Sequence, residues 1–307
     1  MIGVNNGPVT VRAPAKINLH LGVGARRKDG FHPLVTVYQA VGLCDDVTVE
    51  RSPGWTLSVT VPDWMDEDAV PVTGDNLVDR AAVLLADHHG VDRHAAVSIA
   101  KTIPVAGGMA GGSADAAAAL VALDRLWGLD TTDEDLLRLA AALGSDVPFA
   151  LLGGTALGTG RGEIVEPVAD ASTWWWVVVP SAEGLSTPAV YQRFDELNPD
   201  PSLEPRSADH LLEAVASGDV DALAATLHND LQPAALDLRP DLADLLELGE
   251  RSGALRGLVS GSGPTCVFLT LDADDARGVA GEIVAAGHEV VLVSNGPVAG
   301  AHVVTYA

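Results

Sequence analysis

Between residues 9 and 24 apolar and polar side chains alternate. Val9, Val11, Ala13, Ile17, Leu19, Leu21 and Val23 share one phase, and Thr10, Arg12, Lys16, Asn18 and His20 share the other. A period of two predicts a strand with one buried face, with Lys16, Asn18 and His20 projecting from a common side. A charged turn, Arg26 to Gly30, follows, then strand-like runs at 34–41 and 46–50, as in the hairpins of an antiparallel or mixed sheet. Apolar residues at 77, 81, 84 and 85 with Gly90 behind them predict a helix over 76–89. A strand at 95–103, a glycine-rich loop at 106–112 and an alanine-rich helix at 113–127 come next. Thr132 caps a helix over 133–143 that Gly144 ends, and 145–163 is glycine-rich with short apolar runs.

In the second half, Trp174 to Val179 reads as a buried strand closed by Pro180, with burial of at least two of its three tryptophans. The stretch 195–206 is a proline-punctuated loop. Helices at 207–217, 219–228 and 240–252 precede strands at 256–260 and 265–271, a helix at 273–286 and a strand at 288–294. Helices mixed with a small sheet make an α+β pattern. The length of 307 residues suits two domains. The boundary falls near 160–172, which divides the chain into 1–165 and 166–307.

Composition narrows the setting. Hydrophobic residues make up 48% and charged residues 20%, enough for a core and too little charge for a disordered chain. No apolar run reaches the roughly 18 residues of a membrane helix. The first dozen residues lack the basic and apolar regions of a signal peptide. Cys44 and Cys266 have no metal-ligand spacing and form no disulfide framework, so a reducing cytoplasm is the expected location. The net charge of −24 argues against nucleic-acid and anionic-membrane partners. Cations are therefore informative: Lys16, Lys28 and Lys101 are the only lysines.

Four segments carry candidate chemistry. The first is Pro104-Val105-Ala106-Gly107-Gly108-Met109-Ala110-Gly111-Gly112-Ser113-Ala114. Strand, glycine loop and helix in that order place unpaired N–H groups and a helix dipole where a phosphate could sit. Ser113 could cap the helix or reach a phosphate or Mg²⁺. The loop lacks the Gly-Lys-Ser/Thr of a Walker motif and the glycine spacing of a dinucleotide fold. A flexible connector is the plain alternative. The second segment, Ala13 to Leu19, holds Lys16, which taken alone reads as a solvated lysine on an open sheet face. The third, Gly144-Ser145-Asp146-Val147-Pro148-Phe149, holds an aspartate that could equally be a turn residue. The fourth, Ser260-Gly261-Ser262-Gly263-Pro264, is either a tight hairpin or a second anion-facing loop.

In this order the four segments resemble the GHMP kinase family, whose members include galactokinase, homoserine kinase and mevalonate kinase types. The loop from Pro104 to Ala114 resembles that family's Pro-x-x-x-Gly-Leu-Gly-Ser-Ser-Ala motif, with Met109 and Ala110 at the Leu-Gly positions and Gly112-Ser113 at the Ser-Ser positions. Ser260 to Pro264 resembles its third motif. Ala13-Pro14-Ala15-Lys16-Ile17-Asn18-Leu19, the run Arg27 to His32 and the Asp146-Val147-Pro148 segment resemble the branch acting on 4-diphosphocytidyl-2-C-methyl-D-erythritol. The resemblance covers essentially the whole chain.

It implies a two-domain α+β fold: an N-terminal mixed-sheet α/β domain of the ribosomal protein S5 domain 2-like type and a C-terminal ferredoxin-like domain. It also implies an ATP- and Mg²⁺-dependent kinase of the methylerythritol phosphate pathway to isoprenoids. Asp146 would take the proton of the substrate's 2-hydroxyl. Lys16 would keep Asp146 ionised and neutralise charge near the transferring group. Asn18, Phe31, His32, Thr187 and Tyr191 would contact substrate, Phe31 and Tyr191 sandwiching the cytosine and His32 reading its edge. Gly261, Ser262 and Gly263 would form the third loop. The alternatives are a homoserine- or mevalonate-type acceptor and a non-catalytic nucleotide-binding regulator. Monomer and homodimer both fit. One departure stands out: related enzymes often have Ser-Ser-Asn where this chain has Ser113-Ala114-Asp115. Asp115 would bind Mg²⁺ or favour the helix N-terminus, which leaves the metal ligands open.

Overall fold

The computed structural model describes residues 7–66, 70, 72, 76–105, 107–181 and 183–304. The chain opens with two long antiparallel strands, β1 (Val9–Val23) and β2 (Leu34–Glu50). β2 is continuous where the sequence suggests two runs. Next come β3 (Trp55–Thr60), α1 (Leu77–His89) and β4 (Ala95–Ala100). The Asn76 side chain accepts from the Val78 N–H at 2.8 Å to start α1, and Gly90, with φ +65°, ends it.

Helix α2 (Gly111–Trp127) begins two residues before the expected 113. Its alanines at 114 and 116–119 are fully buried, and their small size lets the helix lie close on β1 and β2. Thr132 caps α3 (Asp133–Leu143) as expected. The glycine-rich stretch after it contains α4 (Val147–Leu152) and β5 (Thr155–Thr159), followed by β6 (Ile164–Val168).

β7 (Trp174–Val179) starts the second half, followed by α5 (Thr187–Leu197), α6 (Asp209–Ser217), α7 (Val220–Thr226), the two-residue β8 (His228–Asn229) and α8 (Gln232–Leu238). Then come α9 (Asp241–Arg251), β9 (Arg256–Val259), β10 (Cys266–Thr270), α10 (Ala273–Ala285), β11 (Leu292–Gly296) and β12 (His302–Val304).

The first sheet runs β12-β1-β2-β4-β3, with β5 and β6 extending from β2 and β8 alongside β1. The second is the antiparallel sheet β11-β7-β10-β9. β7 alternates between two cores: Trp174, Trp176 and Val178 pack with the first sheet and α2, while Val177 and Val179 pack with Phe268 and the C-terminal helices.

The tryptophan run also carries a polar seam. Trp176 Nε1–H donates to Gln39 Oε1 at 2.9 Å, and Trp174 Nε1–H donates to Asp170 Oδ1 at 2.9 Å. Gln39 Nε2 in turn donates to Asp170 Oδ2 at 3.1 Å. Large indoles are accommodated inside because their N–H groups find acceptors there.

The expectation of one buried face on β1 is corrected. From Ala13 onward both faces are covered, and Lys16, Asn18 and His20 are 7%, 3% and 2% exposed. The loop after β9 covers the polar side, with Gly261 beside Lys16 and Asn18, so the Lys16 position is not an open sheet face.

Candidate active site

Lys16 lies midway along β1 with its ammonium donating to Asn18 Oδ1 at 2.7 Å. Asn18 Nδ2 donates to Thr36 Oγ1 at 2.8 Å, and that hydroxyl donates to the His20 carbonyl at 2.7 Å. The chain of bonds fixes the Lys16 head group 5.7 Å from the centre of the Tyr38 ring. Burial pushes the Lys16 pKa down, and the Asp146 charge opposes that shift.

Asp146 stands half-buried just ahead of α4, its side chain free of a capping role. It marks the phenols around it. Tyr38 is pushed well up by burial, then by the Asp146 charge and a side-chain hydrogen bond to Asp146. Tyr191 is raised by burial and by the same charge. Tyr38 is a residue the sequence pattern does not single out, because inside a strand it reads as ordinary packing.

The two glycine loops lie against each other. Gly108 has φ +77°, and a Cβ there would run into the Ser260 carbonyl oxygen. A Cβ on Gly107 would meet Thr265 Oγ1 at 2.6 Å. The contact is bonded as well: Thr265 N–H donates to Gly107 O at 3.3 Å and Ser260 Oγ donates to Gly108 O at 3.3 Å. Gly261, at φ +57°, sits so that a Cβ would be 3.3 Å from Lys16 Nζ. Asn229 holds this loop from behind, Nδ2 donating to the carbonyls of Val259 at 2.8 Å and Gly261 at 2.7 Å.

Ala110 occupies the position before α2 with φ +59° and provides no side-chain cap. Ser113 falls in the first turn, so it is not the cap, and its hydroxyl has no partner among the described residues. Pro104, Val105 and Met109 to Ala114 are all described, with Met109 and Ala114 fully buried, and the Ala106 expectation lies outside the described residues. Asp115 does not point into open space: its Oδ2 accepts from Lys101 Nζ at 2.8 Å.

At the far end, His32 is held by a hydrogen bond between Nδ1 and the Gly24 carbonyl at 2.8 Å. Its ring stacks on Tyr191 with centroids 5.2 Å apart and planes at 28°. Phe31 is 51% exposed, with the Arg161 guanidinium 4.9 Å from its ring centre. Each aromatic has its own close partner: His32 stacks on Tyr191, and the Arg161 guanidinium lies over Phe31. Thr187 Oγ1 lies 2.8 Å from Ser262 Oγ, which ties α5 to the third loop. Lys16, Asn18, Phe31, His32, the first glycine loop, Asp146, Thr187, Tyr191 and Gly261 to Gly263 all border one cavity of about 1330 Å³. Arg26 and Arg161 also border it, the cations an anionic ligand needs in an acidic chain.

Residues 76–154 match the model of the GHMP kinases N terminal domain, and residues 211–289 match that of the GHMP kinases C terminal domain. The chain belongs to the GHMP kinase family. Within it, the chain is 71% identical over 297 residues to the 4-diphosphocytidyl-2-C-methyl-D-erythritol kinase of Nocardioides sp., covering 97% of this chain and 100% of that one. A crystal structure of 4-(cytidine 5'-diphospho)-2C-methyl-D-erythritol kinase superposes with a TM-score of 0.75 at 32% identity, over 93% of this chain and 98% of the other. Homoserine kinase from Cytophaga hutchinsonii shares the fold, with a TM-score of 0.73 at 18% identity over 99% of both chains.

Proposed function

We propose that this chain transfers the γ-phosphoryl group of ATP to the 2-hydroxyl of 4-diphosphocytidyl-2-C-methyl-D-erythritol, a step of the methylerythritol phosphate route to isoprenoids. The observation that carries the reading is convergence. A buried lysine, an aspartate acting on it by charge, two interlocked glycine loops and an aromatic–histidine pair open on one cavity.

The triphosphate would lie along Pro104 to Ala114, taking the backbone N–H groups at the start of α2. Asp146 accepts the hydroxyl proton, and Lys16 stabilises the ionised Asp146 and the charge that develops on the transferring group. Phosphoryl transfer passes through a loose transition state, so positioning and electrostatics supply most of the rate. Asn18 orients Lys16 and meets the erythritol end. His32, anchored through Nδ1 to the Gly24 carbonyl and with Nε2 3.5 Å from Asp195 Oδ1, would read the cytosine edge. Phe31 and Tyr191 offer the apolar surface for cytosine. A homoserine- or mevalonate-type acceptor has no use for that end of the cavity. Residues 1–165 would carry the nucleotide and the catalytic pair, and residues 166–307 the third loop and part of the substrate wall.

Among the described residues no group of three or more His, Cys, Asp or Glu is arranged to hold a metal ion. That suits Mg²⁺ brought in on nucleotide phosphates, since this ion commonly takes few protein ligands and keeps water. Ser113, with its free hydroxyl at the phosphate end, is the side chain that would hold it. The ion would supply neutralisation of phosphate charge.

The test is ADP release from Mg²⁺-ATP with and without the cytidyl substrate. Release that depends on this substrate supports the reading. Release with homoserine or mevalonate instead would overturn the acceptor, and nucleotide binding without any release would leave a non-catalytic regulator.

A further inference from the structure

Asn229 of β8 is 5% exposed and does not border the cavity, yet it holds the third glycine loop. Its Nδ2 donates to the carbonyls of Val259 at 2.8 Å and Gly261 at 2.7 Å, and its Oδ1 accepts from the Leu231 N–H at 2.9 Å. Two acceptors on one side and a donor on the other fit a carboxamide in a single orientation, with both of its N–H bonds used. β8 is itself fastened to the strand that bears Lys16. Leu21 pairs with Asn229, the Asp230 N–H donates to the Leu21 carbonyl at 2.9 Å, and the Val23 N–H donates to Asp230 Oδ2 at 2.8 Å. Through Asn229 the loop after β9 is therefore referenced to β1.

The loop does not fix its own peptide planes. Gly261 and Gly263, at φ +57° and +78°, flank Ser262, and glycine admits a turned peptide at little steric cost. The Gly261–Ser262 peptide is trans, so its C=O and N–H point to opposite sides. Asn229 takes the C=O. The N–H, on Ser262, is thereby directed away from Asn229, and it has no acceptor among the described residues. Ser262 borders the cavity, and Gly261 lies beside Lys16 Nζ and Asn18 Oδ1. Turned over, the same peptide would present a carbonyl oxygen on that side, which would attract the ammonium and repel a phosphoryl group.

We propose that Asn229 is a positioning residue for phosphoryl transfer: by holding the Gly261 carbonyl it keeps the Ser262 N–H, and not a carbonyl oxygen, on the cavity side beside Lys16. The inference rests on the kinase reading of the cavity. A fixed donor of this kind acts most on charge that develops in the transition state, so Asn229 bears on turnover rather than on affinity. Asn229→Asp is the sharpest probe. It keeps the shape and the acceptor for Leu231, and it replaces both donors with an oxygen. That oxygen opposes two carbonyls as the loop stands, and it accepts from the Ser262 N–H once the peptide turns over. Asn229→Ala removes the hold without favouring either orientation.

The experiment compares ADP release from Mg²⁺-ATP and the cytidyl substrate by wild type, Asn229→Ala and Asn229→Asp, with a thermal transition for each. The turnover number is expected to fall most in Asn229→Asp, by about 10²–10³, the effect of losing one transition-state donor, and less in Asn229→Ala. Both KM values should stay close to wild type. A side chain that only fills space gives the reverse order, with alanine worse than the isosteric aspartate. That order, wild-type turnover in both variants, or raised KM values with turnover unchanged would each overturn the proposal. If neither variant folds, the Ser262 amide resonance of wild type decides. Its proton should move downfield when Mg²⁺-ADP, aluminium fluoride as the phosphoryl mimic and the cytidyl substrate fill the cavity, and a resonance that stays in place would overturn the proposal. Absence of ADP release by wild type would instead overturn the kinase reading on which this one stands.

Discussion

The backbone N–H of Lys16 donates to the carbonyl of Met109 at 3.1 Å. The strand that carries the buried ammonium and the first glycine loop are thus bonded to each other directly. Lys16 is fixed at both ends: its backbone is anchored to the loop, and Asn18 sets its head group. Preorganisation of this kind places charge where it is needed at no reorganisation cost during the reaction.

Replacing Asp146 with asparagine keeps shape and removes the proton acceptor. The turnover number is expected to fall by about 10²–10⁴, the usual contribution of a general base, while nucleotide affinity changes little. ADP release together with calorimetric nucleotide titration checks this. An Asp146→Asn enzyme that turns over normally would remove Asp146 from the mechanism.

Lys16 is pulled below the ordinary lysine pKa by burial, with Asp146 acting in the opposite direction. As pH rises through that lowered value the ammonium is lost. The turnover number at saturating ATP should therefore decline on the alkaline side before the ordinary lysine range is reached. Lys16→Arg keeps its charge to far higher pH. Any residual activity of that variant should lack the decline, and a decline identical to wild type would assign it to another group.

Gly108→Ala should disable nucleotide binding more than it disables folding. The new methyl would press on the Ser260 carbonyl in a backbone conformation that costs an L-residue about 1–2 kcal/mol. The two glycine loops must then part. Nucleotide titration and a denaturant melt on the same sample read the two effects. A variant that binds ATP as wild type does would show that the interlock is not required.

Tyr191→Ala removes an aromatic face from the substrate end and the surface on which His32 stacks. The KM for the cytidyl substrate is expected to rise by the equivalent of about 1–3 kcal/mol, the range for one base stack. The KM for ATP should not move. Tyr191→Phe should recover most of the loss, because the ring and not the hydroxyl makes the stack. Parallel rises in both KM values would mean a general distortion.

What can be read from the chain, and what cannot, divides along physical lines. α1 and α3 are legible because Asn76, Gly90, Thr132 and Gly144 act on their own neighbours in sequence. β1 is legible as a strand, yet its alternation describes only side-chain phase. The cover over Lys16 comes from Gly261, more than 200 positions away, and no local pattern encodes it. α5 and α8 open on Pro188 and Pro233, which read as breaks, whereas proline is well suited to a first helical turn. The buried cluster of Asp45, Lys101 and Asp115, in which Lys101 Nζ donates to both carboxylates, stays hidden because each residue is ordinary alone. Asp115 shows in the sequence only as a departure from a motif. The catalytic candidates emerge from motif order, and their electrostatics require the folded neighbours.

β1 has one further property. Its partners are β2, β8 and β12, so residues from near position 10 to position 304 hold the strand that bears Lys16. During synthesis on the ribosome β1 emerges long before β12, the neighbour on its other edge. The first glycine loop and α2 can fold while translation continues, yet the strand beneath them gains its β12 neighbour only when residues 302–304 arrive. Long sequence separation between such partners also slows folding. The lysine-bearing strand is made long before it is enclosed, and a nascent chain arrested before β12 would carry every motif of the candidate site on an unfinished sheet.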